Sequence, residues 1–420
     1  MHVILYEDSR VADLYPITIS RPACAIHTGS LNLFELMARF GDSVEILVRP
    51  HLRRVIKKRH PSAWFFEGQN RRGGVLAVNA RTVPCASLIG RLDELVKKQP
   101  KTALLTESGD LAAVWLGEIP ELERADLTTE HFAELLDKLA PFEAFRPGGV
   151  ELMNNACDPI RNHLKYFNEN IQYRLETGDY REIADGVFIP RDDTLAPVLG
   201  EYLVTRTKNG PILIESGANL GPFCFIEGPV YIGRRCKVIE HAAIKDRVAI
   251  HDVTKIGGEV EGSTIEPYSN KQHHGFLGHS YLGSWVNLGA GTCNSDLKNS
   301  YNEVWLDTPK GKVRSDMQFL GCVIGDYAKT AINTSIFTGK TIGACSLNYG
   351  FVTTAVPSFV NYARTFGQVT EVSLKMMIMT QANMFARRGV EQTQADIELL
   401  RSMFELTRCE RQLANEPLSL

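Results

Sequence analysis

Apolar residues recur every six positions along the middle of the chain: Ile214, Leu220, Ile226, Ile232, Val238, Ile244, Ile250 and Ile256. A small or β-branched residue often fills the fifth place of the repeat, as at Ala218, Cys224, Val230, Cys236 and Ala242. A helix repeats at 3.6 and a paired strand at 2, so neither accounts for an interval of six. Such hexads predict a parallel β-helix, in which each coil buries its apolar edge only when the next coil stacks on it. The register slips and returns at Phe276, Leu282 and Leu288, then at Ile324, Thr330, Ile336 and Ile342. The interruptions at 257–275 and 293–322 are therefore expected to be loops thrown out from the solenoid, where chemistry concentrates.

The amino-terminal third has another pattern. Short apolar runs at 2–6, 44–48, 74–79, 102–106 and 112–115 predict strands, and 30–40, 86–98 and 129–138 predict helices. Strands alternating with helices argue an α/β domain with a mostly parallel sheet. In such sheets ligands bind where loops leave the carboxyl ends of the strands. The loop after the first strand lacks the glycines that let amides close on a pyrophosphate. Arg10 and Arg21 are the candidate phosphate contacts, and Asn79 a candidate ligand at a strand end. Helical spacing from Asp158 to Glu176 is expected to close this domain, with 178–211 as connector. After Phe359 the hexads stop, and 371–388 and 392–411 read as helices. The expected domains are 1–180, 181–358 and 359–420.

A length of 420 residues calls for more than one core. The net charge of −3 gives no reason to expect nucleic acid or anionic membrane as partner. Nine cysteines without paired spacing, and no secretory leader at Met1, predict reduced thiols and a cytoplasmic location. No apolar run is long enough to span a membrane.

The densest chemistry lies at 269–298. His273, His274 and His279 are three of the eleven histidines. Zinc is one explanation, but no cysteine or carboxylate of suitable spacing lies beside them, and the metal set stays unknown. A general base is favoured, because an imidazole near its free pKa accepts a proton at neutral pH. Asn287 and Asn294 stand at coil corners, where a structural and a substrate-holding role are both open.

The run Val286-Asn-Leu-Gly-Ala-Gly-Thr292 followed by Cys293-Asn294, with Ser269-Asn-Lys-Gln-His273 before Gly275-Phe-Leu-Gly278, resembles a divergent branch of a known family. That family is the bifunctional N-acetylglucosamine-1-phosphate uridyltransferase/glucosamine-1-phosphate acetyltransferase. A weaker amino-terminal match rests on Leu14-Tyr-Pro-Ile-Thr18, Arg21-Pro22 and Val78-Asn-Ala-Arg81. The resemblance implies an α/β nucleotidyltransferase-like domain, a left-handed β-helix and a helical tail, assembled as a homotrimer. It implies acetyl-CoA bound between neighbouring β-helices, UTP as second co-substrate, and Mg²⁺ for the nucleotidyltransferase half. His273 falls on the family's catalytic base, and Asn287 and Asn294 on residues that hold the amino sugar. Three positions depart from the pattern: Glu261 where a phosphate-binding lysine is expected, Phe276 for a tyrosine, and a loop between Thr292 and Asn294 shorter by two. Either another cation such as Lys271 or Lys298 would then take the phosphate, or the pocket accepts another substrate. The glycine-rich nucleotide loop is missing, and Asn79 stands near the place of the metal-binding aspartate. Two alternatives follow: a sugar-1-phosphate nucleotidyltransferase of other specificity with a structural β-helix, or a non-catalytic trimeric binding protein.

Overall fold

The computed structural model describes residues 1–60, 74–118, 128–192 and 194–413. Its contacts divide into two compact units, one made mainly of residues 1–154 and the other of Asn155–Leu420 with two short earlier segments, 15–17 and 28–30.

The first unit is built on a six-stranded sheet. His2–Tyr6 lies between Ser43–Leu47 and Val75–Asn79, both parallel to it. Leu111–Gly117 runs antiparallel to Val75–Asn79 and to Thr102–Leu105, and Glu143–Phe145 pairs parallel at the far edge. The predicted parallel sheet is therefore present, with one strand reversed. Ile4, Val75, Ala77, Val114 and Phe132 form its core. The helix expected from Ser30 begins at Leu33, because Asn32 is the cap: its side chain accepts from the Glu35 amide.

The second unit is the solenoid. Successive strands visit three parallel ladders in turn, so that Ile214 lies beside Ile232, Leu220 beside Val238 and Ile226 beside Ile244. All eight hexad residues from Ile214 to Ile256 are at most 1% exposed and belong to one core. The ladders start at Val187–Pro190, which also pairs antiparallel with Tyr180–Ala184.

The segment 257–275 is not a loop. It continues the ladders through Glu259–Glu261, Thr264–Ile265 and Asn270–Lys271. What broke the hexad reading is a shortened coil, in which Ile250 meets Ile265, fifteen positions on. One consequence is that Leu277, not Phe276, points inward. The second interruption does leave the solenoid: it contains the antiparallel hairpin Val304–Thr308 and Gly311–Met317, after which Leu282 pairs with Ile324.

The helix Asp158–Thr177 packs Phe167 and Ile171 on Leu213, Tyr231 and Ala249 of the solenoid. The sequence assigned it to the first domain; its apolar stripe is satisfied by the outer face of the β-helix instead. Beyond the last coil, helices run over Leu374–Ala386, Gln394–Leu406 and Arg408–Leu413. No described helix is long and apolar enough to cross a membrane.

His163 on the first of these helices is fully buried. Its Nδ1 accepts from the Gly29 amide at 3.1 Å and from Thr264 Oγ1 at 2.6 Å, while Nε2–H donates to the Arg247 carbonyl at 2.6 Å. Only the neutral ring satisfies that set, and burial pushes the pKa down to about 4. The unfolded chain titrates near 6.5, so it binds the proton first as pH falls. This stability is complete above about 6.5 and is lost progressively toward pH 4, by about 2 kcal/mol at pH 5 relative to pH 7. His51 in the first unit, also pushed down to about 4 by burial, acts in the same direction. Urea midpoints at pH 7 and pH 5 should show the loss, and His163→Gln should flatten part of it.

Candidate functional site

The coil from Asn270 to Leu282 carries the three histidines, and the ladder decides where each points. Lys271 occupies the inward place that Ile256 fills one coil earlier, and it is 2% exposed. An amine there needs acceptors. Its Nζ donates to the Gly257 carbonyl at 2.7 Å and the His273 carbonyl at 3.0 Å, and burial lowers its pKa to about 8. Lys271 is thus turned inward and holds the main chain of His273; the phosphate role expected for it does not fit this placement.

His273 and His274 are exposed at the corner. His279, one corner on, is half-buried, and its Nδ1 lies 2.8 Å from Asp296 Oδ2. Its ring packs on Gly262, where a Cβ would come within 2.8 Å of it. Asp296 sits seventeen positions later, a single short coil away, so neither its partner nor the pairing is visible from local sequence. It is the one carboxylate–imidazole contact among the three histidines in the described residues.

Asn294 is 5% exposed. Its Oδ1 accepts from the Gly278 amide at 2.9 Å and its Nδ2 donates to the Gly278 carbonyl at 3.0 Å. Of the two roles left open, the observed bonds are those of a structural clamp between coils. Asn287 is exposed, and its Oδ1 accepts from Asn270 Nδ2 at 3.2 Å. Phe276 is half-buried, with its amide 3.4 Å from Cys293 Sγ. Glu261 stands in register beside Lys245, whose amine donates to Glu259 Oε1 at 2.6 Å.

Beside Cys293 and Asn294 opens a cleft of about 530 Å³, bounded by the outgoing insertion and by the rung around Ile336. Lys298 and Lys340 line it. The Lys298 amine donates to the Glu303 carbonyl at 2.6 Å, and Lys340 Nζ lies 3.2 Å from Asp307 Oδ2.

In the first unit the predicted residues meet a network that the sequence did not signal. Glu7 and Asp8 leave the carboxyl end of the first strand, Arg49 that of the second, and Asn79 and Arg81 that of the third. Arg81, 1% exposed, grips Asp8 with two bonds of 2.8 and 2.7 Å. Asn79 Nδ2 donates to Asp8 Oδ2 at 2.8 Å. Burial pushes the Asp8 carboxyl up, but the Arg81 and Asn79 bonds outweigh it and hold it below the usual range. Glu7 is held by Arg49 and by the Ala23 amide. Arg10 is exposed and lies 3.4 Å from Asp110, whereas Arg21 is buried. Mg²⁺ requires carboxylates with oxygens to spare, and both at this strand end are taken by arginines. Among the described residues no group of three His, Cys, Asp or Glu could hold a metal. The residues present do not fit the expected ion.

Residues 3–176 match the family model described as sugar nucleotidyl transferase. The chain is 32% identical over 216 residues to the bifunctional protein GlmU of Methanococcus aeolicus, covering 51% of this chain and 51% of that protein. It is 32% identical over 255 residues to GlmU of Ralstonia pickettii, covering 58% and 50%. It is 32% identical over 142 residues to a bifunctional sugar-1-phosphate nucleotidylyltransferase/acetyltransferase of Sulfurisphaera tokodaii, covering 33% and 35%. The chain is thus similar to the GlmU proteins, and the matches span about half the length of those proteins or less.

The two asparagines separate by experiment. Asn294→Ala leaves the Gly278 amide without its acceptor, while the Ser280 hydroxyl still donates to the Gly278 carbonyl, and should cost about 1–3 kcal/mol in urea unfolding without any ligand. Asn287→Ala, at an exposed place, should stay within about 0.5 kcal/mol.

Proposed function

We propose that the chain is a sugar-nucleotide enzyme with two transfer activities. The second unit moves an acetyl group from acetyl-CoA to the 2-amino group of glucosamine-1-phosphate. The first moves a uridylyl group from UTP to N-acetylglucosamine-1-phosphate. The family match over 3–176 and the similarity to bifunctional relatives support both halves. The observation that carries the acetyl half is the exposed His273 on a coil whose main chain is pinned from inside by Lys271. A general base has to be reachable by the proton it takes and held in place while it does so.

In this reading the amine nitrogen attacks the thioester carbonyl as His273 accepts its proton. The carbon–nitrogen bond forms, the carbon–sulfur bond breaks, and coenzyme A leaves as the thiol once protonated. No acyl-enzyme is formed, and the base contributes roughly 10²–10⁴ in rate. The cleft beside Asn294, with Lys298 and Lys340 on its wall, is where the sugar phosphate is expected. A homotrimer, with acetyl-CoA between neighbouring β-helices, completes the proposal.

One observation favours a second assignment of the base. His279 has the carboxylate partner, Asp296, that orients a catalytic imidazole and stabilises its protonated form.

Coenzyme A release from acetyl-CoA with glucosamine-1-phosphate decides between them. His273→Ala is expected to lose about two decades or more with the fold intact. If that variant keeps its activity and His279→Ala loses it, the base is His279. No release by the unaltered chain counts against this acceptor.

A further inference from the structure

Asn270 and Asn287 pair on neighbouring rungs of one ladder. The residues that follow them, Lys271 and Leu288, are the buried ones, so both asparagines stand on the outer face. Beyond the last coil the chain returns to this pair. Arg388 Nη2 donates to Asn270 Oδ1, and Asn270 Nδ2 donates to Asn287 Oδ1 at 3.2 Å. Among the described residues no hydrogen bond takes Asn287 Nδ2. The arginine is held by the way its helix ends. Gly389, at φ +65°, turns the chain out of the helix Leu374–Ala386. Its amide bonds the Ala386 carbonyl at 3.1 Å, and the Val390 amide bonds the Phe385 carbonyl at 2.9 Å. This closure places Arg388 at the helix cap. Phe385, buried 4.5 Å from the Trp285 ring, anchors that end on the solenoid.

An asparagine amide can turn either its carbonyl or its NH2 toward a neighbour, at almost no difference in shape. A guanidinium carries donors and no acceptor. Beside Arg388, Asn270 is therefore fixed with its carbonyl toward the cation and its NH2 toward Asn287. Asn287 has to meet that NH2 with its own carbonyl, which leaves its NH2 as the group it can offer. One cation thus sets the direction of two amides in series. A basic residue at a helix carboxyl end is favoured by the dipole, but that does not account for the bond to Asn270 or for the ordered pair behind it.

We propose that Arg388 is a positioning residue for the acceptor substrate: through Asn270 it holds Asn287 with its NH2 free to donate to an oxygen of the amino sugar. The inference rests on the acetyl-transfer reading, with Asn287 among the residues that hold the acceptor. It adds a direction to that role. A protonated amine has donors only, so the sugar is received at Asn287 by a hydroxyl or phosphate oxygen, and its 2-amino group is left to the base.

Coenzyme A release by the full chain, measured over ranges of glucosamine-1-phosphate and of acetyl-CoA, tests it. Arg388→Met should raise KM for the sugar about ten-fold and leave KM for acetyl-CoA within about two-fold. Arg388→Lys, still a donor without acceptors, should recover most of the loss. Arg388→Glu, which calls for the opposite direction of both amides, should do worse than the methionine. In an Asn287→Ala background Arg388→Met should add less than about two-fold, because nothing is left to orient. An unchanged sugar KM in Arg388→Met overturns the proposal, as does its full effect on top of Asn287→Ala. The relay is also read without substrate, by nuclear magnetic resonance of the chain isotopically labelled at asparagine. The side-chain amide signals of Asn287, assigned by their loss in Asn287→Ala, should shift in Arg388→Met and hold in Arg388→Lys. Signals unmoved in Arg388→Met sink the relay whatever the activity. No coenzyme A release by the unaltered chain defeats the transfer reading and the substrate half of the proposal, while shifted signals uphold the relay. Urea midpoints check that each variant is folded.

Discussion

The second unit depends on a single requirement: each coil has to place an apolar side chain directly over that of the coil before. An isolated coil leaves Ile226 or Ile244 half in water; stacked, both are fully buried in a common core. Each such burial is worth about 1.5–3 kcal/mol, and it is available only in one register. The backbone follows, because the parallel ladder satisfies its amides and carbonyls only when that register is kept.

The same requirement determines what meets on the outside. Residues a coil apart become neighbours at rung spacing whatever their distance in sequence. That is why Phe276 faces Cys293, Asn270 faces Asn287 and Lys237 faces Lys255. It also explains the tolerance of irregular length. The chain shortens the coil between Ile250 and Ile265 and lengthens the one between Leu282 and Ile324, yet both pairs remain in register. Excess residues are expelled as the hairpin at 304–317, and a deficit is absorbed at corners.

Legibility in the sequence follows the same division. The inward places between Ile214 and Ile256 were readable because one physical demand, burial, acts on each of them at a constant interval. Where the coil shortened, the interval changed while the demand did not, so 257–275 read as a loop and Phe276 stood in for Leu277. Lys271 was misread for a related reason. A lysine suggests solvent, and nothing local announces that the carbonyls of Gly257 and His273 wait inside for its amine. The helix at 158–177 had a clear apolar stripe but no sign of which surface would cover it. Pairings such as His279 with Asp296 need the coil length before they can be inferred, and the coil length is what the irregular stretch hid.

In the first unit the strand ends tell a different story from the one that family likeness suggests. Asp8 and Arg81 form a nearly buried pair with two direct bonds, and Asn79 completes the shell around the carboxylate. Pulling Arg81 away toward a phosphate would leave Asp8 partly buried and uncompensated, a cost of about 3–5 kcal/mol for such pairs. Drawing Asp8 away toward a cation leaves the more deeply buried Arg81 unpaired, which is no cheaper. Glu7 and Arg49 repeat the arrangement next to it. If nucleotide chemistry takes place at this end of the sheet, it has to use groups outside the two closed pairs; Arg10, exposed and 3.4 Å from Asp110, is one such group.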